Sequence, residues 1–365
     1  MKKILALICV TVLAAGHAAG QSAGQGKAAG QPVGATSQGE ASSELAEAAR
    51  LNSQVVKLFG EGKYDEALPL ARRVLEIREK SLGGDQLPVA YALNNLASIY
   101  AWKGKNGEAE PLFKRALAVV EKQGGGESDF AADINTELGL IRLWDRDYDG
   151  AGPLLQRAFD IRRKLHGTDD TALVPALFNL TDLYILRGRP EQAHSFLSWA
   201  ISILSRQPPR KDPATAKRLK SYLCPLMGLS AANDKELAGK VSNAIWRFEE
   251  PEAAAEYEKE QKEREARGET GKKIVEGGVL NGHAVRKPPP DYPLAAKQQR
   301  VMGTVVVQIV VDESGKVIKA EALCGHPLLA KAAVEAARGA RFTPTLLSGM
   351  PVKVSGVITY NFVLQ

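Results

Sequence analysis

Four copies of one pattern, 42 residues apart, constrain this chain more than any other feature. Tyr64-Asp65-Glu66-Ala67 returns as Asn106-Gly107-Glu108-Ala109, Tyr148-Asp149-Gly150-Ala151 and Pro190-Glu191-Gln192-Ala193. Each copy continues with apolar residues at helical spacing: Leu70, Val74 and Leu75; Leu112, Ala116 and Leu117; Leu154, Ala158 and Phe159; Phe196, Ala200 and Ile201. Upstream of the last three, Leu96-Ala97-x-x-Tyr100, Leu138-Gly139 and Leu180-x-x-x-Tyr184 hold matching places. Gly62, Gly104 and Gly188 mark the turn between paired helices, and Arg146 takes that place in the third copy. One helix pair cannot bury its apolar face alone, so four stacked pairs over residues 44–205 are expected to share a continuous core. The small residues Ala67, Ala109, Ala151 and Ala193 then mark where one helix approaches its partner closely.

A different periodicity governs residues 279–365. Val305, Val307, Ile309 and Val311 alternate with Thr304, Val306, Gln308 and Val310, the period of a strand with one buried face. Asp312-Glu313-Ser314-Gly315 reads as a hairpin turn, and Val317 to Cys324 returns antiparallel with Ile318, Ala320 and Ala322 on one face. Pro327 opens a helix that sets Leu328, Leu329, Ala332, Ala333 and Ala336 on one side and stops at Gly339. A last strand places Val352, Val354, Ile358, Tyr360, Phe362 and Leu364 on one face, with Lys353, Ser355, Thr359 and Asn361 opposite. The expectation is a small α+β domain, a three-stranded antiparallel sheet with a helix across it, after an all-α solenoid.

Both regions carry a family resemblance. The repeats resemble a tetratricopeptide array of the longer-helix kind related to kinesin light chain. Such arrays present a groove to a peptide or a partner helix. Asn95, Glu137 and Asn179 share one position on the inner helices, with Asn52 and Asn94 near it. They either contact a ligand in the groove or bridge neighbouring helices. The terminal region resembles the TonB C-terminal domain. It does so through Pro290-x-Tyr292-Pro293-x-x-Ala296, Gly303-x-Val305-x-Val307, Val311-Asp312-x-x-Gly315-x-Val317, Gly325-His326-Pro327-x-Leu329, Arg341-Phe342-x-Pro344 and the Pro351 to Phe362 strand. That resemblance implies a Gram-negative cell-envelope protein engaging an outer-membrane transporter, with Tyr292, Pro293, Lys353, Ser355, Thr359 and Asn361 at the contact. A transporter segment would join the sheet edge as an added strand.

Departures from the family open an alternative. The position three residues before Tyr292, a glutamine in the family, is Pro289, which has no N–H to donate. A force-transmitting member keeps an uncleaved membrane helix and a long Pro/Lys/Glu-rich spacer. Here Lys2 and Lys3 precede an apolar run of only twelve residues, Ile4 to Ala15, and small residues follow. That is the pattern of a cleavable export signal over residues 1–20. The protein is thus expected in the periplasm, or anchored in the inner membrane if the segment is retained. The alternative function is a soluble periplasmic scaffold without energy transduction.

The intervening segments read more simply. Residues 21–43 are rich in Gly, Ala, Gln and Ser and are expected to form a disordered tether. Residues 206–248 fit a helical cap, with Leu219, Leu223, Leu226 and Leu229 covering the last repeat. Residues 249–278 are dominated by Glu, Lys, Arg and Ala, either an exposed helix or a charged linker.

Neither a serine elbow, a phosphate loop nor a dinucleotide fingerprint occurs, so no catalytic residue and no cofactor is expected. Cys324-Gly325-His326 offers two ligands without a second pair, a poor metal site. The net charge of +6 comes mainly from residues 272–365, with twelve Lys/Arg against six Asp/Glu. No basic–aromatic surface accompanies it, so proteins rather than nucleic acid are the expected partners, and membrane association would be indirect. Cys224 and Cys324 fall in separate expected domains and read as two buried free thiols, a disulfide being the lesser alternative.

Overall fold

The computed structural model describes residues 35–229, 234–267, 284–347 and 350–364. The export signal and most of the tether lie outside the described residues. The chain divides into two compact units that meet between Arg187 and Gly188.

The first unit is all helical: α1 (Ala35–Gly60), α2 (Tyr64–Leu82), α3 (Leu87–Trp102), α4 (Asn106–Lys122), α5 (Asp129–Trp144), α6 (Tyr148–His166), a 3-10 turn and α7 (Val174–Leu186). Helix α1 begins at Ala35, inside the stretch expected to be a tether. Each helix packs on the one before it, as stacked pairs require. Ala67, Ala109 and Ala151 are completely buried. The turns within pairs take left-handed backbone at Gly62 (φ 73°) and Gly104 (φ 71°). Arg146 adopts the same conformation at φ 63°, unusual for a residue with a Cβ. Ser128 and Asp147 cap α5 and α6, each side chain accepting a backbone N–H three residues on.

The second unit begins with α8 (Pro190–Ser205), followed by α9 (Pro213–Leu229), α10 (Asp234–Glu249) and α11 (Pro251–Ala266). The charged stretch is therefore a helix as far as Ala266. Three strands form the principal antiparallel sheet in the order β3-β2-β7: β2 (Gly303–Val311), β3 (Val317–Cys324) and β7 (Val354–Phe362). Before it come β1 (Ala284–Arg286) and the short helix α12 (Leu294–Gln298). Helix α13 (Pro327–Arg338) follows β3, then β4 (Arg341–Phe342), which pairs with β1, and the hairpin β5 (Thr345–Leu347) and β6 (Met350–Val352). The expected single strand from Val352 is thus broken at Lys353.

The hairpin between β2 and β3 forms as read. Asp312 Oδ1 accepts from the N–H groups of Ser314 and Lys316, each at 2.9 Å. Gly315, at φ 83°, leaves no room for a Cβ, which would meet the Phe342 carbonyl oxygen at 1.9 Å. One detail of β3 departs from expectation. The register slips between Val310 and Val311, so Val317 points into the core and Ile318 is 52% exposed, while Ala320 and Ala322 face inward. A bulge of one residue shifts the phase of alternation that a regular strand would keep.

The sheet is covered on both faces. Val305, Val307, Ile309, Ile358 and Tyr360 pack with Leu329, Ala333 and Ala337 of α13. On the opposite face Val306 is 1% exposed and Val357 is fully buried. Helix α9 contacts β3 and β2, and α10 contacts β7. The two helices expected to cap the repeats contact α8, the last repeat helix, and also form a third layer on the terminal sheet. Leu219 is fully buried; the side chains of Leu223, Leu226 and Leu229 lie outside the described ones.

Candidate protein-binding surfaces

On the inner helices of the first unit, Asn95 Nδ2 donates to Asn52 Oδ1 at 2.9 Å, joining α3 to α1. That pair bridges two neighbouring helices, and both residues are half-buried. Glu137 and Asn179, at the places corresponding to Asn95, are buried at 5% and 3% exposure. Glu137 lies in a charged cluster that the repeat pattern alone does not announce. Arg162 of α6 pairs with Asp133 and donates to Thr136 Oγ1 at 3.2 Å. Burial raises the Asp133 carboxyl to about 6 despite the opposing effect of Arg162. It raises Glu137 to about 8, with Asp133 adding to the rise and Arg162 opposing it. The signal for this cluster was a departure from the repeat at Asp133, where Tyr91 and Pro175 correspond; the Arg162 position is shared by Arg78 of the first repeat but is Val120 and Leu204 in the others.

In the second unit, β7 lies at one edge of the principal sheet and β3 at the other. Lys287 reaches the β7 edge, its Nζ donating to the Thr359 carbonyl at 2.7 Å and lying 4.9 Å from the Tyr360 ring centre. The residues expected to face outward differ among themselves. Lys353 and Asn361 are exposed, and Asn361 Oδ1 accepts from Thr304 Oγ1 at 2.7 Å. Thr359 is half-buried, and the Ser355 hydroxyl is buried without a hydrogen-bond partner among the described residues. Tyr292 is engaged within its own domain: its hydroxyl donates to the Val301 carbonyl at 2.5 Å, and its ring meets Phe362 edge-on at 5.5 Å. Pro293 caps α12. Cys324 is a free thiol, and His326 Nδ1 accepts the Leu328 N–H at 3.3 Å, closing the strand-to-helix corner. The Cys224 side chain lies outside the described ones.

Comparison with known families matches residues 288–364 to the C-terminal region of the Gram-negative bacterial TonB protein. Residues 56–122 and 130–206 match tetratricopeptide repeats. The chain is a tetratricopeptide array followed by a TonB C-terminal domain. Among solved structures, BtubC (BKLC) from P. vanneervenii is similar at 20% identity and a TM-score of 0.43, covering 64% of this chain and 93% of that one. A Podospora anserina protein with nearly identical kinesin light chain TPR-like repeats aligns at 19% identity and a TM-score of 0.47, covering 56% and 98%. Pseudomonas aeruginosa pilF aligns at 16% identity and a TM-score of 0.37, covering 62% and 95%. No curated protein matches the chain. Both modules belong to families that bind proteins. No helix among the described residues is long and apolar enough to cross a membrane.

Proposed function

We propose that this chain is a non-catalytic adaptor of the Gram-negative envelope, exported to the periplasm and working through two protein-binding surfaces. The TonB C-terminal domain would dock an outer-membrane transporter, and the tetratricopeptide array would hold a second protein. The observation that carries this reading is the presence of both modules in one chain, with β7 at the edge of the terminal sheet. An edge strand has backbone N–H and C=O groups that an incoming peptide can satisfy by adding a strand. Affinity would come from the backbone, and the exposed Lys353 and Asn361, with the half-buried Thr359, would tune specificity.

The second reading is a soluble scaffold that links two envelope proteins without transmitting force. Pro289 favours it, because a proline stands where the family has a glutamine beside the transporter contact. So does the short apolar run at the N-terminus.

Capture from an envelope extract tests the proposal, with the full chain as bait beside Ser355→Pro and Thr359→Pro variants. Each proline removes one backbone donor from β7. The expected result is an outer-membrane transporter among the captured proteins and its loss in at least one variant. Undiminished capture by both folded variants would dismiss strand addition.

A further inference from the structure

We propose that Lys287 is a built-in competitor for the β7 edge, and that an added strand docks there by displacing its ammonium group from the Thr359 carbonyl. The inference rests on the reading of β7 as a strand-accepting edge and names the residue that regulates access to it.

The ladder shows which β7 groups are at stake. β2 pairs with β7 without a shift, from Gly303 opposite Phe362 to Val311 opposite Val354. In such a ladder, successive residues of a strand direct their N–H and C=O groups to opposite sides. At the end of β2 the Asp312 N–H donates to the Lys316 carbonyl, on the β3 side. Counting back by twos, Val310, Gln308, Val306 and Thr304 address β3, and the odd-numbered residues of β2 address β7. Their partners on β7 are the even-numbered residues, so Ser355, Val357, Thr359 and Asn361 direct their backbone groups outward. These are the groups that an added strand uses.

Lys287 already holds one of them. Its Nζ donates to the Thr359 carbonyl at 2.7 Å and lies 4.9 Å from the Tyr360 ring centre, a charge-assisted hydrogen bond backed by a cation–π contact. The backbone on either side fixes this reach. Arg286 pairs with Arg341 of β4. Pro288 packs on Gly339 at the end of α13, where a Cβ would lie 3.1 Å from the proline Cγ. Further on, the Tyr292 ring meets Phe362 at the end of β7. The lead from Lys287 to Tyr292 therefore runs beside the C-terminal half of β7. Pro288, Pro289 and Pro290 have no N–H to donate, so the lead cannot join the ladder as a strand. The lysine side chain supplies the donor that the prolines lack. A lysine at an open edge also guards a sheet against pairing with another copy. An incoming strand brings its own N–H to Thr359, and the ammonium returns to water.

The test measures fluorescence anisotropy of a fluorescein-labelled, end-capped octapeptide of alternating threonine and valine, titrated with the full chain. Lys287→Met keeps the length of the stem and removes the donor, whereas Lys287→Arg keeps the donor. Lys287→Met should bind the peptide about fivefold more tightly than the native chain, the order of one exposed hydrogen bond. Lys287→Arg should bind as the native chain does. Adding Thr359→Pro to Lys287→Met should abolish the gain. Equal or weaker binding by Lys287→Met, or a gain shared by Lys287→Arg, would overturn this inference and leave strand addition standing. A gain that survives Thr359→Pro would put the peptide elsewhere and overturn it too. Binding by neither the native chain nor Lys287→Met would overturn it together with the reading of β7 as a strand-accepting edge.

Discussion

A single buried carboxyl carries the clearest pH signature in the molecule. Glu137 has its pKa raised from 4.5 to about 8, chiefly by burial and then by Asp133. A carboxyl that holds its proton more tightly when folded favours the native state only while that proton is bound. Between about pH 4.5 and 8 the unfolded chain has released the proton and the native chain has not, so stability falls as pH rises through this window. Asp133, raised to about 6, adds in the same direction over a narrower range. Glu137→Gln should flatten the slope and raise stability at pH 8 by an amount on the order of 1–3 kcal/mol. Urea titrations at pH 5, 6.5 and 8 check this, and an unchanged slope in the variant would refute it. Much of this residue chemistry was hidden in the sequence. Glu137 was legible as a groove position, but its burial depends on Arg162 and Asp133 meeting it from places 25 and 4 residues away. Arg146 illustrates the opposite case: its place in the repeat alone marked a glycine-like turn, and the backbone there is left-handed.

At the level of elements, the third layer on the terminal sheet has the largest consequence. The strand reading assigned Val306 and Val310 to the outer face of β2 together with Thr304 and Gln308, and it left Val357 without a role. Val306 and Val357 are buried under the region where α9 and α10 contact the sheet. A polar–apolar mixture on that face was a signal for a covering element, and alternation alone cannot say which element supplies it. Val357→Asp should therefore cost on the order of 3 kcal/mol or more, since it buries an unpaired carboxylate. A solvent-facing position would cost less than about 0.5 kcal/mol. Thermal melts of the variant distinguish the two outcomes. The ion pairs that recur along the array, Lys122 with Asp85 and Lys164 with Glu127, follow the repeat but are solvent-exposed and contribute little.

At the scale of the whole chain, the two compact units predict separate responses to damage. Ala151 is fully buried in the first unit, and Ala151→Trp should overpack its helix crossing by about 1–3 kcal/mol. Stacked pairs share one core, so the loss should spread through residues 35–187. Hydrogen exchange should show α3 to α6 losing protection while β2, β7 and α13 keep theirs. Equal loss in both would mean that the chain unfolds as one cooperative body. The sequence by itself determined the helix pairs, their 42-residue period, the turn positions, the β2–β3 hairpin and both families. Each of these depends on side-chain spacing within a few tens of residues, where backbone geometry leaves few choices. Only the tertiary structure decided that α9 and α10 join the terminal sheet, that a bulge turns Ile318 outward, and that Glu137 is desolvated near Asp133 and Arg162. Those outcomes depend on which surfaces, distant in the chain, come together to exclude water, and no local period encodes that pairing.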